Sequence, residues 1–277
     1  MTPMFRAFES LRERVPGWRV EIGAPSGPGW IRGSSLRDAT GPLDDLLWRI
    51  GDRARTKDRK TIAASFALRF GWASIMAIAP FLRLRCVPDI VLDNVSFRFR
   101  ESTMLERMAI HELRATVIAD ESHAREPHID TVADDRELLR TLRSALVAQA
   151  TPVVATLRVW AGFAPRGTWG MLTSAWASHV TSLWETPRDH RPALPLIDAL
   201  FDGDDVVALM RPQMHPVAIQ DATHLYQRRA SCCRFYLLEQ GDLCASCPLV
   251  SHDDRLVRNR EWMQTLLERA GRGVGHG

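Results

Sequence analysis

SCCRFYLLEQGDLCASCPL, residues 231–249, holds four of the five cysteines of a 277-residue chain. They are spaced as an adjacent pair, ten intervening residues and a Cys-x-x-Cys. Core packing does not select four thiols in sixteen residues. Disulfides fit poorly, because neighbouring Cα atoms lie about 3.8 Å apart against a usual disulfide span of about 4.4–6.8 Å. A thiol-redox site would use Cys244 and Cys247 and leave Cys232 and Cys233 without a role. A metal centre accounts for all four. The ten residues between the pairs favour a turn-back, with Phe235 to Leu238 expected as a strand, Glu239-Gln240-Gly241 as a turn and Leu243 leading into the second pair.

Four thiolates suit tetrahedral zinc or an iron–sulfur cluster. Zinc ribbons use two Cys-x-x-Cys knuckles, each aiming both sulfurs at one ion. Side chains on adjacent residues diverge, and two irons accommodate that divergence better than one ion. Phe235, Leu243 and Leu249 offer apolar cover, and Cys247-Pro248 matches the Cys-Pro that follows ligands in some ferredoxins. After the segment, Ser251 and Asp254 are placed to cap a helix carrying Leu256, Met263, Leu266, Leu267 and Ala270 on one face, with the glycine-rich tail from 271 ending order.

Working toward the N-terminus, helical periodicity dominates from about 61 to 216. Stripes are read through Leu105, Met108, Ala109, Leu113 and Val117, through Leu138 to Leu146 after VADDRE, and through Leu172 to Leu183. PDIVLDNVSFRFR, residues 88–100, alternates apolar and polar side chains around an Asp-Asn turn signal and suggests two short strands. Helical patterns at 3–14 and 43–55 flank GAPSGPGWIRGS, residues 23–34, which reads as a loop with Trp30 packed back onto the core. These readings give a predominantly helical α+β fold: a helical body with a short β-hairpin over 1–220 and a small C-terminal metal unit over 221–277. No Gly/Ser linker, low-complexity segment or repeat separates the parts.

Composition narrows the function. The chain has a net charge of +3 with 25% charged residues, so it shows no basic tract for nucleic acid. Its start lacks the apolar core of about 7 to 15 residues that a secretory signal needs, so a cytoplasmic location is expected. The apolar run 61–82 approaches the length of a membrane span but carries Arg69 at its middle, at a cost of about 2.5–3.5 kcal/mol inside a bilayer, and reads as a buried helix instead. Cys86 reads as a buried thiol. His111-Glu112 lacks the second histidine of a zinc-protease motif, and His123 and His128 lie in a polar stretch that reads as a solvated loop.

RRASCCRFYLLEQGDLCASCPL, residues 228–249, resembles the C-terminal signature of the FhuF-like ferric-siderophore reductases. SFALRFGWASIMAIAPFL and APRGTWGMLTSAW look like that family's helical body. The resemblance implies that Cys232, Cys233, Cys244 and Cys247 ligate a 2Fe-2S cluster, and that the protein reduces ferric siderophores by one electron to release Fe(II). Neither a Rossmann glycine motif nor a P-loop occurs, so electrons are expected from a separate ferredoxin or flavin reductase. Arg228, Arg229 and Arg234 would offer such an acidic donor a landing site. Arg69, Trp72, Arg166 and Trp169 are candidates for holding the chelate, through stacking and hydrogen bonds. The near-neutral charge favours hydroxamate chelates over highly anionic ones. Two other readings stand beside this one: a binding module stabilised by a structural zinc ion on the four cysteines, and an iron–sulfur carrier or redox sensor with no chelate pocket.

Overall fold

A computed structural model of the chain describes residues 2–15, 17–119, 121–184 and 188–273, the last four for the backbone alone. Ala270 of the expected helical stripe and the tail from 274 to 277 therefore fall outside the described side chains or residues.

The chain opens with α1 (Pro3–Arg14), whose N-cap Thr2 accepts a hydrogen bond from the Phe5 amide and whose Met4, Phe8 and Leu11 face inward. Two short strands follow, β1 (Val20–Ile22) and β2 (Trp30–Arg32), then α2 (Pro42–Arg53) and α3 (Arg59–Phe70). Asp58 caps α3 by accepting from the amides of Lys60 and Thr61. A 3-10 turn at Gly71–Ser74 joins α3 to α4 (Ile75–Leu84). Next come β3 (Cys86–Pro88), β4 (Val95–Phe99), β5 (Leu105–Ile110), β6 (Ala115–Ile118) and β7 (Ile129–Val132). Two long helices close the body, α5 (Asp135–Ala161) and α6 (Pro165–Ser182), followed by the short α7 (Leu194–Leu200) and α8 (Val206–Leu209). The hairpin β8 (Gln213–Ile219) and β9 (Ala222–Arg228) leads into the cysteine segment, and α9 (His252–Gly273) covers it. The fold is thus a helical α+β architecture with three small sheets among the described residues. The boundary expected between 220 and 221 falls in the turn of the β8–β9 hairpin.

The run from Arg59 to Leu84 is long and apolar enough to cross a bilayer, yet 78% of its apolar window is buried inside the protein. It packs along α6, where a Cβ on Gly71 would come within 2.7 Å of the Ala175 Cβ, so glycine is what permits the close approach. Cys86 is buried, as expected, and burial pushes its thiol up to about 12.

Four local expectations change. The stripe from Leu105 to Val117 is two strands, not a helix: β5 lies between β1 and β4, and β6 between β3 and β7. Met108, Ala109 and Ile110 are buried consecutively because both faces of β5 are covered, and such a run also satisfies helical spacing. The 88–100 stretch supplies β4, but β3 overlaps only its first residue and belongs to another sheet, so the two form no hairpin. β4 instead pairs antiparallel with β5. Within the Gly/Pro-rich loop, Trp30–Arg32 pairs with β4 as an edge strand, where half of its hydrogen-bonding groups need no partner strand. Finally, Phe235–Leu237 is a 3-10 turn and not a strand. Its tightness forces Gly241, where a Cβ would sit 1.9 Å from the Phe235 carbonyl oxygen.

Candidate metal centre

Contacts from three directions place the cysteine segment. From α6, the Gly167 carbonyl accepts a 2.8 Å hydrogen bond from the Ser231 hydroxyl, and a Cβ on Gly170 would collide with that hydroxyl. From α3, Asp58 and Thr61 receive the Arg234 guanidinium at 3.0 and 3.1 Å. From α9, the buried Arg255 donates to the carbonyls of Cys247 and Val250 at 2.9 and 2.6 Å. Within the segment, the Arg229 amide donates to the Ser246 carbonyl, and the Cys247 amide to that of Cys244, which closes the Cys-x-x-Cys turn.

These restraints sort the four cysteines into two pairs, each taking one member from either half of the motif. Cys232 and Cys247 have their sulfurs 3.9 Å apart. Cys233 and Cys244 share a hydrogen bond. Among the described residues, no three His, Cys, Asp or Glu side chains converge on one point that could hold a single ion. Cys247 also feels the charge of Cys244, so the two pairs adjoin, and four adjoining thiols in two pairs match in number the donor set of a binuclear cluster, in which each iron takes two thiolates.

Cationic and amide donors surround the sulfurs. Arg229, only 5% exposed, reaches Cys233 at 3.5 Å and Cys244 at 2.6 Å through one Nη, and its Nε is buried without a partner. The Arg234 amide donates to the Cys232 sulfur at 3.3 Å. The hydrogen bond from Cys233, reinforced by the Arg229 guanidinium and opposed by burial, pushes Cys244 down to about 5. Cys233 moves up, because it is the proton-holding partner in that bond and is buried. Burial also raises Cys247. The site therefore favours thiolate at Cys244, the cysteine most exposed to solvent.

Residues 229–249 match the family model of the FhuF 2Fe-2S C-terminal domain. The chain carries an FhuF-type 2Fe-2S domain. Its cofactor is a 2Fe-2S cluster, a group that the paired thiols of the FhuF-type domain fit in number and chemistry. No curated protein matches the chain.

Beside the FhuF-type domain lies a cavity of about 810 Å³, between the α2–α3 pair and the cysteine segment. Arg69 and Trp72 line it, as do Arg229, Cys233 and Cys244. Arg166 is exposed on α6 and Trp169 is buried against Trp176, and neither lines this cavity. The body motif APRGTWGMLTSAW serves instead to seat the cysteine segment, through Gly167 and Gly170. The three arginines expected as a landing site differ in placement: Arg229 is buried against sulfur, Arg234 is tied to α3, and Arg228 is half-buried with hydrogen bonds to Gln213 and the Pro248 carbonyl. Sequence reading missed the structural roles of Ser231 and Asp58. Asp58 did leave a signal, as an acidic residue just before an apolar helix.

Proposed function

We propose that the protein is a cytoplasmic ferric-siderophore reductase whose four motif cysteines hold the 2Fe-2S cluster, Cys232 and Cys247 on one iron and Cys233 and Cys244 on the other. The observation that carries this reading is the cavity that opens directly onto Cys233 and Cys244. When bound, the cluster supplies a low-potential electron one at a time. The chelated Fe(III) gains that electron and becomes Fe(II), which oxygen donors hold far more weakly; the chelator's covalent bonds stay intact, and a separate ferredoxin or flavin reductase gives up one electron in balance.

The chain's own residues bind, orient and insulate. Trp72, 53% exposed at the cavity wall, offers a flat apolar face to the chelate, and its edge-to-face contact with buried His179 holds the ring. Arg69 supplies hydrogen-bond donors from the same wall. Arg229 and the Arg234 amide donate to sulfur, which stabilises thiolate charge and raises the potential at which an electron is accepted. The C-terminal unit, in this reading, starts with the hairpin at β8 and serves as the electron-entry side of the molecule.

Cys244→Ser tests the proposal. The expected result is loss of both visible absorption and trapped Fe(II), with the far-ultraviolet circular dichroism of the body retained. Retained iron release would overturn it. So would the absence of acid-labile sulfide in anaerobically reconstituted wild-type protein.

A further inference from the structure

The cavity beside Cys233 and Cys244 has an unusual balance of charge. Arg53, Arg55, Arg69 and Arg229 line it, and among the described residues Glu239 is the one carboxylate in its wall. Glu239 is engaged by Arg55 at 3.6 Å, on the exposed rim. Arg229 is committed to sulfur. That leaves Arg53 and Arg69, neither in an ion pair with a carboxylate among the described residues.

Arg69 hydrogen bonds through one Nη to the Ser65 carbonyl, at 2.9 Å, and to the Ser65 hydroxyl, while its Nε is buried without a partner. Burial, and then the charge of Arg53, lower its pKa, so the two guanidiniums are near enough to repel. A helix dipole explains Arg53, which stands in the last turn of α2. It does not explain Arg69, because the chain continues from α3 through a 3-10 turn into α4. Two like charges held on one cavity wall, with no carboxylate between them, are relieved when an anion binds. The anion has to approach an anionic all-thiolate cluster, and the arginines lie on the wall of that approach.

We propose that the cavity selects ferric chelates bearing net negative charge, with Arg53 and Arg69 receiving a carboxylate or other anionic group of the chelator. This rests on the reductase reading and sharpens it. It also goes beyond what the whole-chain charge suggests, hydroxamates in place of highly anionic chelates, because local charge at the cavity, and not the sum over the chain, is what a ligand meets.

The test separates charge from shape by using one linear trihydroxamate scaffold whose terminal amine is either acetylated, giving a neutral complex, or succinylated, giving an anionic one. Both are loaded with gallium(III), which has the charge of Fe(III) but accepts no electron. Equilibrium dialysis against cluster-loaded protein, with gallium counted by mass spectrometry, reads binding alone. The expected result is about tenfold tighter binding of the succinylated complex at low salt, an advantage that shrinks as salt rises. In Arg69→Gln the ratio of the two affinities falls toward one. Arg53→Gln, at the exposed end of α2, gives the same collapse of the ratio if the Arg69 variant fails to fold, folding being checked by the cluster's visible spectrum. Equal binding of the two complexes by the wild type overturns the charge selection and leaves the reductase reading standing. An unchanged ratio in folded variants also overturns the assignment. Failure of both complexes to bind, with the cluster intact, overturns both.

Discussion

Phe66 and Met263 mark two centres of packing with different resources. Phe66 is fully buried between Phe70 and Phe99 in one continuous apolar cluster that runs from α1 to α8. Met263 is equally buried, but its cluster of buried residues contains only Val217 and Ala222 besides, under α9. The body holds its shape by burying surface; the unit around the cysteines holds its shape through arginine–carbonyl bonds and the cluster it carries. A small region with little core needs such a staple. Leu225 of β9 and Cys233 reach across from the C-terminal unit and pack into the larger cluster.

The largest effect should come from removing the staple. Stripping the cluster with an iron chelator under reducing conditions is expected to lower amide-exchange protection across residues 229–252 by about 100-fold or more, while α3 and α6 keep theirs. Equal protection in both regions would erase the contrast. Next, Phe66→Ala should cost about 3–5 kcal/mol in urea unfolding of the body, the range for deleting a buried aromatic ring.

A pH effect of similar size is expected from His179. Burial pushes its imidazole down to about 4, and its Nδ1 lies 2.8 Å from the Ser74 hydroxyl. The folded state keeps the ring neutral, whereas the unfolded chain takes up a proton below about 6.5. The contribution is therefore complete above about pH 6.5 and lost as pH falls toward 4, by about 3 kcal/mol. Urea midpoints measured across that window should show this slope, and His179→Asn should flatten it. The smallest effect concerns the seam between the regions. Gly170→Ala pushes a methyl against Ser231 and should weaken docking of the segment by about 1–3 kcal/mol, read as faster cluster loss with little change in body unfolding.

The helices α1, α2 and α5 were legible because each has a capping or proline start and an apolar stripe of one period; α6 begins at Pro165 but is buried on nearly every face. β5 and β6 were not, because a strand covered on both faces loses the alternation that marks it, and Leu105 to Val117 then passes for a helix. The cysteines announced the metal chemistry by type and spacing. Their partition into pairs did not follow from the sequence, since it depends on Ser231, Arg234 and Arg255 reaching residues up to 176 positions away. Arg69 and Trp72 were picked out by side-chain type, as stacking and hydrogen-bonding groups, and both lie on the cavity wall. Arg53 was missed, as one more charge on an amphipathic helix.

One arginine touches sulfur from both halves of the motif, and its own amide grips the second half through Ser246. The loop of chain from 229 to 246 is thereby clasped at its two ends by the residue that also compensates charge on sulfur, and closing such a loop costs entropy that the clasp and the metal share. A single change at Arg229 therefore alters two properties together, the potential of the bound cluster and the grip on the loop that carries it.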